Sequence, residues 1–187
     1  MAIKKILISQ ETPMNVAPYE TLKEKFGVQI DFMPFFLIEP LTSREFRGQR
    51  LNILDYTAIV FSARHTIDAF FKLCEELRVK VPETMKYFCT TEAVAMYLQK
   101  HIVFRKRKIF YGNGTPASVI EQIGTKYKDE KFLITTSDTS SNDALRGLFE
   151  EHKLDYNTAV FVKSVPQDLK GVDLKSYDMI VVYNPAD

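Results

Sequence analysis

The segment of residues 56–74 constrains the fold of this chain more than any other. Its unbroken apolar run Ala58–Phe61 predicts a strand buried on both faces, as is typical of parallel sheets. A helix is predicted directly after it, with apolar residues three, four and seven positions apart: Ile67, Phe70, Phe71 and Cys74. Ser62 stands between the two elements, at the strand's carboxyl end, where open α/β sheets bind ligands. The segment therefore predicts an α/β fold with a ligand site beside Ser62.

The charge balance and the hydropathy argue against several classes of protein. The 187 residues suffice for one domain or two small ones. Because 25 Lys and Arg face 24 Asp and Glu, the formal charge is +1, and we expect no nucleic acid and no membrane as partner. No run approaches the roughly 18 apolar residues of a membrane span. The first residues predict a short strand from Ile3 rather than a signal peptide, so we expect a cytoplasmic location.

The cysteines and histidines predict neither a metal site nor a redox site. Cys74 and Cys89 lack the spacing of metal or redox motifs, so we expect two buried, reduced thiols. His65, His101 and His152 lie on three different elements and form no pair four residues apart. His65 either contacts a substrate or only caps its helix. These residues therefore predict no metal site.

Strands and helices alternate along the rest of the chain, as expected for parallel sheets flanked by helices. The predicted strands are 3–8, 28–33, 56–61, 85–89, 108–111, 132–135, 159–165 and 179–183. The first predicted helix runs from Tyr19 to Phe26 and ends at Gly27. The segment between Pro34 and Pro40 is extended but proline-bracketed, so it predicts a connector rather than a central strand.

Small polar residues or glycines follow six of these strands. They are Ser9, Ser62, Thr90, Gly112, Thr135 to Ser137, and Asn184. The carboxyl ends of parallel strands share one edge of a sheet, so together these residues predict a polar rim suited to carboxylates or phosphates. The same residue types also cap helices, and each position taken alone fits either role.

Two further motifs point to no additional ligand. The turn of residues 112–115, Gly-Asn-Gly-Thr, lacks the lysine of a P-loop and the third glycine of a dinucleotide fingerprint. The basic run of residues 105–108 fits a solvated strand entrance better than a polyanion contact, given the nearly neutral total.

Five groups of short motifs follow one another in an order that carries a family resemblance. They are ILISQ (6–10), VQIDFMPF (28–35), AIVFSAR (58–64) with AFF (69–71), KYFC (86–89) with TEA (91–93), and DMIVVYNP (178–185). Each is weak alone. Their order and spacing resemble the uroporphyrinogen-III synthase family, in the form seen in Bacteroidetes-like bacteria.

The resemblance implies two α/β domains, each a parallel sheet flanked by helices in flavodoxin-like layers, joined by a two-stranded ladder. Residues 1–33 and 166–187 would form the first, discontinuous domain, and residues 41–157 the second. The linker strands would be 34–40 and 158–165. Because family members continue beyond the equivalent of the last residue here, the first domain is expected to be incomplete and to expose apolar sheet faces. A second copy could cover those faces, although the family is usually monomeric.

The resemblance also implies a reaction. The family's enzymes are cofactor-free lyases of tetrapyrrole and heme biosynthesis. They cyclise hydroxymethylbilane, a linear tetrapyrrole with acetate and propionate arms, to uroporphyrinogen III, with loss of the terminal hydroxyl and inversion of ring D. Closure without inversion is spontaneous, so such an enzyme mainly orients its substrate, stabilises a cation and excludes the wrong conformer.

Carried over to this chain, the resemblance implies a set of substrate-binding residues. They are Ser9, Ser62, Ala63, Arg64, Thr90, Thr91, Ser137, Lys163, Ser164, Tyr183 and Asn184. Val162 stands where the family has a ladder tyrosine that assists departure of the hydroxyl, and valine cannot donate a proton. Lys163, Tyr183 or a water would then replace it, or the chain would be slow or inactive.

Two other functions compete with the synthase. A non-catalytic relative that binds a tetrapyrrole or another anion would use the same substrate-binding site without turnover. A flavodoxin-like signalling domain is disfavoured, because the clustered acidic residues and the lysine of such receivers are missing.

Overall fold

A computed structural model describes residues 2–183 of the chain. The strands are β1 (Lys5–Ile8), β2 (Gln29–Phe32), β3 (Phe36–Pro40), β4 (Ala58–Phe61), β5 (Lys86–Cys89), β6 (Ile109–Tyr111), β7 (Phe132–Ser137), β8 (Tyr156–Pro166) and β9 (Met179–Val181). The helices are α1 (Ala17–Phe26), α2 (Ser43–Arg47), α3 (Arg64–Glu76), α4 (Glu92–Tyr97), α5 (Pro116–Ile123) and α6 (Asp143–Glu151). The described chain divides into two compact units, residues 2–37 with 164–183, and residues 38–163.

The second unit contains a six-stranded sheet in the order β3-β8-β7-β4-β5-β6. The pairs from β8 to β6 are all parallel. At the edge, β3 lies beside β8, and the Leu41 amide donates to the Phe161 carbonyl at 2.9 Å. The pairing of β8 with β7 is interrupted by an irregularity between Thr136 and Ser137. The carboxyl ends of these five parallel strands therefore lie at one edge of the sheet, as the strand-end residues predicted.

Helices cover both faces of this sheet, and β4 shows why. All four of its residues are buried, and their side chains alternate between two core clusters. Ile59 and Phe61 pack in one cluster with Ile67 and Phe70 of α3. Ala58 and Val60 pack in the other, together with these residues of α5 and α6: Val119, Ile123, Leu145 and Phe149. The prediction of a strand buried on both faces is confirmed.

The first unit contains a three-stranded parallel sheet in the order β2-β1-β9. Gly27 ends α1 in the left-handed conformation (φ 63°), as predicted, but the helix begins at Ala17 rather than Tyr19, because proline is accepted in a helix's first turn. The helix buries none of its residues. Met179 and Ile180 of β9 are 40% and 41% exposed, so apolar side chains of this sheet face solvent, as expected.

No helix within residues 2–183 has the length and apolar character needed to cross a bilayer. The same residues form no cluster of three or more His, Cys, Asp or Glu side chains that could hold a metal ion. Cys74 and Cys89 are free and buried, which confirms the prediction of two buried thiols. Burial raises the pKa of each thiol to about 12, so neither is a ready nucleophile in the folded protein.

Candidate functional site

The carboxyl ends of β4, β5 and β7 bring polar residues together in the second unit. The Thr90 hydroxyl donates to the Ser62 carbonyl at 3.5 Å, and the Thr90 amide donates to the carbonyl of Phe61 at 3.0 Å. From the loop after β7, the Asn142 amide nitrogen (Nδ2) donates to Ser62 Oγ at 3.3 Å. Three segments that are distant in sequence thus meet at Ser62.

Two cavities open on either side of this meeting point. The first, of about 510 Å³, is lined by Ser62, Thr90, Gly114, Pro116 and residues 139–145. The second, of about 240 Å³, is lined by Ile38, Ser62, Ala63, His65, Thr66, Thr136, Ser137, Ser140 and Asn142. Because Ser62, Ser140 and Asn142 line both, we treat the two cavities as one surface, called here the carboxyl-edge site.

Asn142 directly precedes helix α6, but its side chain does not cap the helix. Its backbone is left-handed (φ 55°, ψ 41°), and its side chain makes no capping bond to α6. The side chain instead donates to Ser62 Oγ and, at 3.0 Å, to the Thr135 carbonyl. The first amides of α6 therefore have no side-chain cap from Asn142, which ties the loop to β4 and β7 instead.

Sequence reasoning missed Asn142 and the loop before it. The available signal was an asparagine between a run of small hydroxyl residues, 139–141, and a helix. Asparagine is enriched both at helix starts and in the left-handed conformation, so this signal favoured a local cap. Nothing in the local sequence indicated a bond to Ser62, 80 residues away.

The polar residues at the strand ends differ in role: some cap a helix or bond to a neighbouring strand, and others remain available to a ligand. Thr91 caps α4, because its hydroxyl accepts from the Val94 amide at 3.3 Å. Thr135 and Thr136 are buried, and their hydroxyls donate to carbonyls of the neighbouring strands β4 and β8. Ser62 caps no helix, since Ala63 precedes α3 and makes no side-chain cap. Its hydroxyl remains available on the cavity surface.

Neutral donors dominate the site. Among the described residues that line its two cavities, only Asp143 and His65 carry ionisable side chains. Asp143 is paired with Arg146 at 3.1 Å. His65 is exposed, but partial desolvation lowers its pKa below the ordinary value of 6.5, and the charge of Asp68 only partly opposes that effect. An anionic ligand would meet hydroxyl and amide groups here rather than a cluster of cations.

The structure gathers Ser62, Ala63, Thr90 and Ser137 at this site, but it turns Arg64 and Lys163 to other partners. The guanidinium of Arg64 lies 5.7 Å from the centre of the Tyr97 ring.

Lys163 forms an ion pair with Glu45, with 2.7 Å between Nζ and Oε1. The lysine, together with the backbone amide and the hydroxyl of Thr42, lowers the pKa of Glu45 to about 2. The bond to Glu45 raises the pKa of Lys163 above its ordinary value. The charge of Lys163 is thus already matched within the protein. Its neighbour Val162 is buried.

Three other predicted site residues, Ser9, Ser164 and Tyr183, belong to the first unit. Ser9 is 5% exposed, and its hydroxyl has no hydrogen-bond partner among residues 2–183. Ser164 is half-buried, and Tyr183 is 57% exposed. Asn184 lies outside the described residues. That these residues contact the same ligand stays a prediction.

Comparison with known proteins places the chain in a family. The family model described as uroporphyrinogen-III synthase HemD matches residues 17–183. The chain belongs to the uroporphyrinogen-III synthase family. A sequence comparison with curated proteins finds no match.

Solved structures of the family support the fold. The chain is similar to a mutant uroporphyrinogen III synthase from Thermus thermophilus, with a TM-score of 0.58 and 11% identity over 88% of this chain. It is also similar to the uroporphyrinogen-III synthetase of Helicobacter pylori 26695, with a TM-score of 0.55 and 15% identity over 94% of this chain. The predicted fold class, α/β with parallel sheets flanked by helices, is confirmed.

The structural match does not cover the full length of these two relatives. The chain spans 64% of the Thermus synthase and 68% of the Helicobacter protein. At 11–15% identity the likeness shows a shared fold and does not transfer individual residues. The function of this chain therefore has to be argued from its own site.

Proposed function

We propose that this chain is a uroporphyrinogen-III synthase, a lyase that cyclises hydroxymethylbilane with inversion of ring D in tetrapyrrole biosynthesis. The family match over residues 17–183 supports this activity class. The observation that carries the proposal is the carboxyl-edge site, which offers the hydroxyls of Ser62, Thr90 and Ser137 on one surface of a family member. We propose that the enzyme works in the cytoplasm and needs no cofactor.

Uncharged donors suit this substrate. Hydroxymethylbilane carries several flexible carboxylate arms, and many weak hydrogen bonds can fix their positions without a single deep ion pair. The competing product forms by spontaneous closure, so catalysis requires control of geometry more than of reactivity. When an enzyme holds the two reacting ends of a chain in one arrangement, the entropy cost of orienting them is already met. This lowers the activation free energy by up to ~7–11 kcal/mol in favourable cases.

The proposed roles follow the position of each residue. Ser62 and Ser137 would hold carboxylate arms through their hydroxyls, and Thr90 would do so by redirecting its proton from the Ser62 carbonyl. The amides that begin α3 at Ala63 and Arg64 would add backbone donors. Lys163 would bind substrate only by exchanging the Glu45 carboxylate for a carboxylate of the substrate. Further proposed contacts are Thr91, Ser9, Ser164, Tyr183 and Asn184.

A non-catalytic tetrapyrrole- or anion-binding relative is the second candidate. Val162, which by resemblance stands at the position of the family's ladder tyrosine, is a buried apolar side chain without a proton to give. Such a relative would use the same carboxyl-edge site to hold its ligand.

Freshly prepared hydroxymethylbilane separates the two candidates. A synthase produces isomer III above the spontaneous background of isomer I, as measured by chromatography of the oxidised porphyrins. We expect Ser62→Ala to lower the rate of isomer III formation about tenfold, the effect of losing one or two hydrogen bonds. Ser43→Ala, a matched change in α2, should leave the rate unchanged. Isomer I alone, together with measurable binding, would support the non-catalytic relative.

A further inference from the structure

His65 occupies a distinctive position beside the carboxyl-edge site. It is the second residue of α3, three positions after Ser62. Its side chain lines the 240 Å³ cavity of that site together with Ser62, Thr136 and Ser137. It also lines a neighbouring cavity of about 230 Å³, bounded by Ile38, Pro40, Asp68, Ala69, Lys72 and Val162. The imidazole thus stands between the hydroxyl-rich surface and a pocket against β3 and β8.

The surroundings of His65 leave its imidazole able to exchange protons. Its own helix contributes Asp68 and Lys72 to the neighbouring cavity. The Asp68 carboxylate already accepts from the Tyr97 hydroxyl at 2.6 Å and contacts His101 Nε2 at 2.7 Å. The described residues that β3, β7, β8 and the loop after β7 contribute to the two cavities are uncharged: Ile38, Pro40, Thr136, Ser137, Ser140, Asn142 and Val162.

The proposed reaction needs a proton at a defined place. Hydroxide leaves carbon poorly near neutral pH, whereas water leaves well, so a general acid accelerates this step by about 10²–10⁴-fold. When the C–O bond breaks, its electron pair stays on the oxygen, which takes a proton and departs as water. The lone pair of the adjacent pyrrole nitrogen supports the resulting cation. Ring closure then releases one proton from the attacked pyrrole carbon.

Two other candidate donors fit this task less well. Asp143 is paired with Arg146, and a paired carboxylate has no proton to give. The pKa of Lys163 is raised above 10.5 by its bond to Glu45, so its ammonium holds its proton too tightly to act at neutral pH. His65, by contrast, lines the site itself, and an imidazole can give up a proton and regain one in the pH range of about 5–8.

We propose that His65 is the catalytic acid of the carboxyl-edge site, giving its proton to the departing hydroxyl and regaining one at ring closure. This proposal rests on the proposed synthase function. The cycle returns the imidazole to its starting state, with one water released for each turnover.

The test compares His65→Gln with His152→Gln, the same change at an exposed histidine at the end of α6. We expect His65→Gln to lower kcat/KM for isomer III formation about 100-fold and to change KM less than about threefold. In the wild type, kcat/KM should fall as the pH rises through the histidine's range, and the variant should lose this dependence. Added imidazole should partly restore activity to His65→Ala. Equal melting temperatures would show that the variants fold.

The outcomes separate this proposal from the synthase function. If the wild type forms isomer III but His65→Gln matches His152→Gln, the acid role of His65 is overturned and the function stands. A loss expressed entirely in KM, with an unchanged pH profile and no response to imidazole, would also overturn the acid role. If the wild type makes only isomer I, the function fails and the role of His65 fails with it.

Discussion

The Ser62 hydroxyl is positioned by a residue from a distant part of the chain. Asn142 donates to it at 3.3 Å and to the Thr135 carbonyl at 3.0 Å, so one side chain links the ends of β4 and β7. A hydroxyl that is fixed in this way loses less freedom when it binds a ligand. This pre-organisation is the physical reason for placing Ser62 at the centre of the proposed site.

The Glu45–Lys163 ion pair leads to a prediction about the pKa of the Glu45 carboxyl group. The folded protein holds the pKa of Glu45 at about 2, against an ordinary value of 4.5. Because the folded pKa is depressed, the stabilisation from Glu45 is present above about pH 4.5 and is lost as the pH falls towards 2. We expect Lys163→Gln to move the pKa of Glu45 upward and to flatten this acid limb of the unfolding free energy.

Carbon-detected NMR of the Glu45 carboxyl group measures that pKa directly. Thr42 still donates its amide and its hydroxyl to Glu45 in the variant, so the pKa should stay somewhat below 4.5. Lys126→Gln removes a lysine elsewhere in the second unit and serves as the control. An unchanged pKa of Glu45 in Lys163→Gln would show that the ion pair does not persist in solution.

The contact between β6 and α5 depends on a glycine. A Cβ added at Gly112 would lie 2.0 Å from Ser118 Oγ and 2.9 Å from Ser118 Cβ. Ser118 is buried, and its hydroxyl accepts from the Asn113 amide at 3.0 Å and donates to the Thr115 carbonyl at 2.6 Å. The turn and the first turn of α5 are therefore fitted to a residue without a side chain.

We expect Gly112→Ala to lower the free energy of unfolding by about 2–3 kcal/mol, the usual cost of overpacking. Adding Ser118→Gly removes both clashing atoms, so the double variant should be less destabilised than the sum of the two single changes. Gly171→Ala, where an added Cβ meets nothing within 4 Å, is the matched control. Urea denaturation checks the result, and strict additivity would contradict a direct clash.

The elements differ in how far their sequence alone could predict them. β4 and α3 follow from local patterns, because an apolar run and a helical stripe report burial directly. The role of Gly112 could not be seen this way, since a glycine-rich turn looks the same whether it binds a ligand or admits a neighbouring side chain. Likewise, the capping role of Thr91 and the available hydroxyl of Ser62 share one local signature, and only tertiary contacts separate them.

The ion pair of Lys163 shows that the contacts of the site residues, too, could not be predicted from local sequence. Its basic side chain on β8 indicated substrate binding by resemblance, but Glu45 lies 118 residues away in sequence and its contact depends on the fold. The family and the fold class could be predicted because motif order and strand–helix alternation extend along the whole chain. The domain limits 1–33 with 166–187 and 41–157, with linkers 34–40 and 158–165, stay a prediction.

The two units should differ in stability, and we propose that they open separately. In the described part of the first unit the large buried hydrophobic residues are Leu7, Ile8 and Ile30, and α1 buries no side chain. The second unit buries two clusters against both faces of its sheet. Apolar burial supplies most of the folding free energy, so the first unit should unfold locally at a lower cost.

Native-state hydrogen exchange tests this difference. We expect the amides of β4, β5 and β7 to exchange only through global unfolding, and those of β1, β2 and β9 to exchange faster by about tenfold or more. Equal protection in both sheets would contradict separate opening. Light scattering on the same sample checks whether a second copy covers the first unit, since a dimer would protect its strands.

The central claim is that the carboxyl-edge site of the second unit binds the substrate class, and NMR mapping of the intact chain tests it most directly. Uroporphyrinogen III, kept under anaerobic conditions, would be titrated into ¹⁵N-labelled protein. We expect the largest amide shifts at residues 62–65, 90–91 and 137–142, at the carboxyl ends of β4, β5 and β7. Shifts confined to the opposite ends of these strands, around Lys86 and Lys131, or no saturable shifts at all, would contradict the claim.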